Sequence, residues 1–148
     1  MSTSFNGNNF VLPNDTRTVN LAAKASTAIS VGDFVCWDAT NKVLVPVDVS
    51  VAGVTDSAAN IALTFAGVAS QTHLATDSTG GYPVFPAGYF GVSVQTDAVY
   101  NATIASGSID VGTLVKAVAG SPTTVAPTTQ GDGDAIGYVV AQYDNATT

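Results

Sequence analysis

The sequence predicts an all-β protein: a compact barrel or sandwich of short antiparallel strands, with a weak internal twofold repeat, preceded by an extended N-terminal arm. Its composition is the first reason, because β-branched Val and Thr are abundant and Glu, a strong helix former, is absent. Charged residues make up only 10% of the chain and apolar residues 46%. The second reason is a series of short alternating apolar runs separated by Gly- and Pro-containing turns.

The N-terminal segment, residues 1–16, is polar and rich in Asn and Ser, with isolated apolar residues at Phe5, Phe10 and Leu12. Such a segment is expected to be extended and to become ordered against a partner, or else to be a frayed terminus. Residues 17–148 are expected to form a single β domain.

Strand signals recur along that domain. Val43, Val45, Val47 and Val49 alternate with other residues, as do Phe90, Val92 and Val94, and as do Ile136, Tyr138 and Val140. Turn sequences separate these runs at 38–42, 78–81, 86–88, 120–122 and 131–134. The one helical candidate, residues 56–62, is short and weakly patterned.

An internal repeat relates two parts of the chain. The heptad ISVGDFV at 29–35 returns as IDVGTLV at 109–115, and later apolar-Gly landmarks follow in the same order. This pattern predicts two similar β modules, at about 26–70 and 106–142, with a hairpin at 82–97 between them. In each heptad the Ile and Val two apart are expected to share a face. Five glycines are predicted to provide structural turns: Gly32, Gly67, Gly88, Gly112 and Gly137.

These motifs resemble the capsid decoration (cement) proteins of tailed bacteriophages, of the small β-barrel or β-tulip type. The resemblance rests on both heptads, on FAGVASQT at 65–72, on VFPAGYFGVSV at 84–94 and on AIGYVVAQ at 135–142. It implies a homotrimer, or copies grouped around a local threefold axis, on the capsid exterior, where the protein bridges major capsid protein subunits. The residues expected to contact the capsid or a partner are Phe5, Phe10, Leu12, Arg17 and His73. The contact elements would be the arm and the loop at 71–81.

The charge balance excludes several classes of partner. The net charge is −7, and the four basic residues are scattered along the chain, so neither nucleic acid nor an anionic membrane is an expected partner. No apolar stretch is long enough for a membrane span, and the N-terminus lacks a signal-peptide pattern. Synthesis in a host cytoplasm is expected. The lone Cys36 is expected to be a buried apolar residue.

Chemistry-bearing residues are too sparse to predict an enzyme. A single histidine, His73, would have to serve any Ser-His-Asp or Cys-His arrangement, and a loop or interface position is the more economical interpretation. Asp132 and Asp134 are interpreted as a turn rather than a Ca²⁺ site, so neither a metal nor any other cofactor is expected. The alternative function is a carbohydrate-binding or adhesive module on a virion fibre or cell surface, with Trp37 among its aromatic candidates.

Overall fold

The computed structural model describes residues 17–76, 88–97, 99–105 and 109–141. The predicted arm, with Phe5, Phe10 and Leu12, lies outside the described residues, as does the first part of the predicted hairpin. The elements in chain order are β1 (Arg17–Lys24), β2 (Phe34–Asp38), β3 (Val43–Pro46), α1 (Ala58–Thr64), β4 (Phe65–Ala69), β5 (Tyr89–Asp97), β6 (Thr103–Ile104), β7 (Leu114–Ala117), β8 (Thr124–Pro127), a 3-10 helix (Gln130–Asp132) and β9 (Gly137–Tyr138). The prediction of an all-β chain is confirmed.

The first five strands form a closed barrel in the order β1-β3-β2-β4-β5. β1 pairs antiparallel with β5 along its whole length and parallel with β3, where Ala23 lies opposite Leu44. Side chains that alternate along the strands fill the interior, as the pleat requires. The buried interior residues are Ala23, Ile29, Val35, Leu44, Ala69, Val92 and Val94.

The remaining four strands form a separate sheet in the order β6-β8-β7-β9. Its pairing reproduces β1-β3-β2-β4: the first pair is parallel, and the other two pairs are antiparallel. The weak internal repeat in the sequence therefore corresponds to a repeated strand topology. A counterpart of β5 is not found among the described residues of this second sheet.

The repeated heptads form the same turn in both copies. The Asp33 N–H donates to the Ser30 carbonyl at 3.1 Å, and the Thr113 N–H donates to the Asp110 carbonyl at the same distance. Gly32 and Gly112 occupy the third position of these turns with φ of 96° and 91°, values that a β-carbon penalises.

The turn also separates residues that the alternation was expected to place on one face. Ile29 and Ile109 are buried, whereas Val31 is 54% exposed and Val111 is 66% exposed. The expectation of a shared face is wrong because the chain turns at this point and does not continue as an extended strand.

The other three predicted turn glycines differ among themselves. Gly88 has φ of 87° and directly precedes β5. Gly67 and Gly137 lie inside β4 and β9, so they are strand residues rather than turn residues. Gly67 nevertheless has φ of 141°.

A second core lies between the barrel and the four-stranded sheet. Side chains on the outer wall of the barrel, such as Phe34 and Cys36, pack in the same cluster as Val115 and Val125 from the second sheet. Backbone bonds join the two parts as well, with the Phe34 N–H donating to the Pro122 carbonyl at 2.6 Å and the Gly120 N–H donating to the Val47 carbonyl at 3.1 Å. The inner face of the second sheet is therefore covered by the outside of the barrel.

The helical candidate does form, slightly displaced, as α1. Ser57 caps its N-terminus by accepting a hydrogen bond from the Asn60 N–H at 3.2 Å. Ile61 is fully buried in the second core, and this packing rather than intrinsic propensity stabilises so short a helix. Within the described part of the chain, no helix is both long and apolar enough to span a membrane.

Candidate functional site

His73 is the first residue to place, because any acid–base chemistry would depend on it. It forms an isolated antiparallel bridge with Ile29, whose N–H donates to the His73 carbonyl at 2.9 Å, while the His73 N–H donates back at 2.8 Å. The imidazole is fully buried and lies 5.0 Å, centroid to centroid, from the Phe90 ring. Its Nδ1 lies 2.5 Å from the Thr27 carbonyl oxygen.

This geometry gives His73 a structural role. A bond from Nδ1 to a carbonyl oxygen fixes the tautomer with hydrogen on Nδ1. Nε2 is buried and has no hydrogen-bond partner among the described residues. A partner can therefore contact the loop that carries His73 but not the buried imidazole. The partner contact that the sequence predicts for His73 is thus restricted to its loop.

The remaining chemistry-bearing groups are dispersed. Cys36 is buried, its Sγ lies 3.9 Å from the Ile61 carbonyl oxygen, and burial raises the pKa of its thiol, which disfavours the reactive thiolate. Across the described segments, no three His, Cys, Asp or Glu side chains come together in a group that could hold a metal ion. In the part of the chain that the structure describes, these groups do not bring a nucleophile and a base together.

The two aspartates near the 3-10 helix have local partners. The Asp134 carboxylate accepts hydrogen bonds from the Lys116 Nζ at 3.1 Å and from the Thr128 hydroxyl. These bonds, with the Thr128 bond the larger cause, lower the Asp134 pKa. The Asp132 carboxylate accepts from the Thr129 hydroxyl at 2.8 Å, within a capping box of the 3-10 helix. Both side chains thus stabilise the turn, which is the interpretation that the sequence favoured.

A small recess opens between the β2–β3 hairpin and the segment that follows β3. Its volume is about 160 Å³, and its lining includes polar side chains of Lys24, Asp38 and Asn41 and apolar side chains of Val49 and Val51. Pockets for small molecules usually measure several hundred Å³. This recess is smaller than such a pocket.

Trp37 was the main aromatic candidate for a sugar platform. It lies on β2 opposite Leu44 and packs, partly buried, against the interior cluster of the barrel. A platform for a sugar needs an aromatic face open to solvent. Trp37 is therefore partly buried and packs at the boundary of the barrel interior.

The features that suit an interaction are exposed apolar side chains at one margin of the second sheet. Tyr138 in β9 is 64% exposed, and Val140 just beyond it is 44% exposed. Val111 is also exposed, and its neighbour Gly112 donates to the Val139 carbonyl at 2.7 Å, which brings the turn beside the end of β9. We refer to Val111, Tyr138, Val140 and the side of β9 that has no strand partner among the described residues as the β9 edge.

Sequence reasoning did not single out the β9 edge. A signal was available, because the hairpin motif at 84–94, which contains the start of β5, occurs once while the heptad occurs twice. Of the contact residues predicted from the sequence, Arg17 is exposed at the start of β1. Arg17 lies opposite Asp97 of β5, and no described strand pairing places it beside the β9 edge.

Comparison with known proteins identifies the family. No curated protein and no solved structure matches the chain. A family model described as phage cement protein matches residues 11–84, half of the chain. The match begins before β1, covers the first four barrel strands and ends before β5. The chain therefore belongs to the phage cement protein family, and its role is structural and capsid-associated.

Proposed function

We propose that this protein decorates the exterior of a tailed-phage capsid and stabilises it by bridging neighbouring major capsid protein subunits. The observation that carries the proposal is membership of the phage cement protein family over residues 11–84. The scattered reactive groups support it, because they favour a binding role over an enzymatic one. Synthesis in the host cytoplasm, before addition to the virion, is part of the proposal.

The stabilisation would be thermodynamic. A protein that binds the assembled shell, but not its separated subunits, shifts the equilibrium toward the shell. Many copies at equivalent lattice positions add their individual contributions, so each contact can be modest. A low fraction of charged residues suits dense packing of identical copies, because like charges on neighbours repel one another.

The contact elements that we propose for the capsid are the arm and the loop at 71–81. In the arm, Phe5, Phe10 and Leu12 offer apolar anchors, and Arg17 follows at the exposed start of β1. Buried His73 would act by fixing the start of the loop, through its backbone bridge to Ile29 and its side-chain contact with Thr27. A homotrimer around a local threefold axis is the assembly that the resemblance implies.

Co-sedimentation with bare heads tests this function. Purified protein should pellet with expanded heads that lack their decoration protein and should stay in the supernatant without them. Calorimetry of the heads should then show a higher melting temperature, which rises with protein concentration until the sites are saturated. Absence of binding at micromolar protein would contradict the proposal.

A titration with sugars distinguishes the carbohydrate-binding alternative from the proposed function. The proposed function expects no change in Trp37 fluorescence, since that ring packs against the barrel interior. A saturable fluorescence change, together with failure to bind heads, would favour the carbohydrate-binding alternative.

A further inference from the structure

The two modules differ in whether a fifth strand covers the outermost strands of the sheet, and the repeat allows the corresponding strands to be compared. In the barrel, β5 pairs antiparallel with both β4 and β1 and so closes the sheet. The corresponding strands of the second sheet are β9 and β6, and each is an outermost strand there. Neither has a partner on its outer side among the described residues. The second sheet therefore presents the edge that β5 covers in the barrel.

Matching glycines show the space that a fifth strand would occupy. A β-carbon on Gly67 would lie 2.2 Å from the Gln95 carbonyl oxygen of β5, so β5 approaches β4 as closely as a glycine permits. A β-carbon on Gly137, the corresponding residue of β9, meets no described atom within 4 Å. As far as the described residues go, the region beside Gly137 is open where the region beside Gly67 is filled by a strand.

Side-chain exposure gives the same contrast. Val68, the residue after Gly67, is 3% exposed, whereas Tyr138, the residue after Gly137, is 64% exposed. Natural edge strands are commonly protected by charged residues or proline. β6 and β9 contain neither, and the exposed side chains of the β9 edge are apolar or aromatic. An unprotected edge of this kind is suited to pairing with another extended segment.

We propose that residues 10–12 of a second copy of this chain pair with the β9 edge as an added strand. The segment Phe10-Val11-Leu12 is apolar, and its alternation places Phe10 and Leu12 on one side of an extended backbone. No charged side chain precedes Asp15, so pairing would bury no charge. Pro13 follows directly and lacks the N–H that would continue the pairing.

The length of the edge matches this short segment. β9 and β6 have two residues each, so three residues of the arm are enough to cover the edge. Phe10 and Leu12 would then serve the contact between copies instead of the capsid, and of the three proposed apolar anchors Phe5 would remain available to the capsid. Because the arm and the edge are different surfaces, the contact is head-to-tail, and copies joined in this way close into a ring when the rotation permits. The inference goes beyond the proposed function and can be tested on the free protein.

The experiment uses two full-length variants and sedimentation velocity with light scattering. The arm variant is Phe10→Asp with Leu12→Asp; the edge variant is Tyr138→Lys with Val140→Lys. Wild type should self-associate, and each variant alone should sediment as a monomer, with a Kd for self-association raised about tenfold or more because a charge would be buried at the contact. An equimolar mixture should form a species of two chains, since the arm variant keeps a free edge and the edge variant keeps a free arm.

A matched control replaces two exposed apolar residues elsewhere, Val31→Lys with Leu63→Lys, and should associate like wild type. Thermal melting identifies any variant that fails to fold; Val111→Lys is the replacement for a misfolded edge variant. A mixture that stays monomeric would overturn the proposal. A monomeric wild type would also overturn it. In that case, a lower melting temperature of the arm variant would show that the arm pairs within its own chain. A loss of head binding by the edge variant would show that the edge contacts the capsid.

Discussion

Gly67 lies so close to the backbone of Gln95 that a side chain at position 67 would require one of the two strands to shift. A β-carbon there would lie 2.2 Å from the Gln95 carbonyl oxygen and 2.9 Å from a methyl group of Val94. The backbone of Gly67 also has φ of 141°, which L-residues rarely adopt. The closure of the barrel between β4 and β5 therefore depends on the absence of a side chain at this position.

Gly67→Ala should destabilise the fold by roughly 3 kcal/mol or more, because the new atom must displace the backbone of β5. Urea unfolding followed by circular dichroism measures the change. Gly137→Ala is the matched control, since its β-carbon enters open space and its φ is not positive. Equal free energies of unfolding for the two variants would contradict the close approach of β5 to β4.

Replacement of either turn glycine, Gly32→Val or Gly112→Val, should cost on the order of 1 kcal/mol or more, since both residues have positive φ. Melting temperatures of the two variants measure the cost. Gly131→Ala is the control, because Gly131 does not have positive φ and its β-carbon would meet no described atom within 4 Å. Unchanged melting temperatures for both valine variants would remove the turn assignment.

Much of the fold was accessible from the sequence because its signals are local. The heptads at 29–35 and 109–115 contain their own turns, and the alternation of Val92 and Val94 marks a strand that faces the barrel interior. The same local reasoning failed at Val31, where it extended a strand through a turn. It also left open whether each module closes on itself, since closure depends on pairing between β5 and β1, which are distant in sequence.

The candidate site was less accessible for a related reason. His73 lies in a polar stretch of the sequence, and only its pairing with Ile29, more than forty residues earlier, buries it. The alternation of Ile136, Tyr138 and Val140 predicts a strand, but the exposure of Tyr138 depends on whether another strand lies beside β9. Family membership, by contrast, was predicted correctly from the order of the motifs.

Asp33 should make the protein less stable as the pH rises through its pKa. Burial raises the pKa of this carboxyl above its ordinary value, and the neighbouring charge of Asp48 raises it further, against a lowering hydrogen bond from the Ser30 N–H. The folded state therefore binds the proton more tightly than the unfolded state does, and ionisation above the raised pKa opposes folding. Asp33→Asn keeps an acceptor for the Ser30 N–H and removes the charge.

The free energy of unfolding of Asp33→Asn minus that of wild type should therefore be larger at pH 7 than at pH 3, because wild type alone carries the buried charge at pH 7. Chemical unfolding at both pH values provides the comparison. The second module indicates that position 33 tolerates an uncharged residue, because Thr113 occupies the corresponding place in its turn. A difference that grows toward acid pH would reverse the assigned sign.

Asp134 should show the opposite dependence. Its pKa is lowered by the Thr128 hydroxyl and by Lys116, so its contribution to stability is complete above the unfolded pKa of about 4 and is lost as the pH falls through the lower folded value. Asp134→Asn should be less stable than wild type at pH 7, and the difference should narrow as the pH falls below the unfolded pKa of about 4. Lys116→Met in the Asp134→Asn background should add little, because the partner is already neutral. A pH-independent difference would show that the carboxylate is not stabilised by these partners.

His73→Ala should destabilise the fold by about 2–4 kcal/mol, since it leaves a cavity beside Phe90 and removes the contact of Nδ1 with the Thr27 carbonyl. Thr72→Ala, at an exposed neighbouring position, is the control and should change stability by less than about 0.5 kcal/mol. If His73→Ala melts like wild type while head binding falls, the imidazole would act at the capsid and not in the core.

The shared core has a consequence for the order in which the chain folds. The apolar face of the second sheet packs on Phe34, Cys36 and Val68, which project from the outside of the barrel. The described residues of that sheet have no core apart from the one that they share with the barrel, so we expect the sheet to condense on a barrel wall that is already formed. Hydrogen exchange should consequently protect β2 and β4 longer than β7 and β8, and an intermediate with the barrel folded and the second sheet open is the partial structure that this architecture permits.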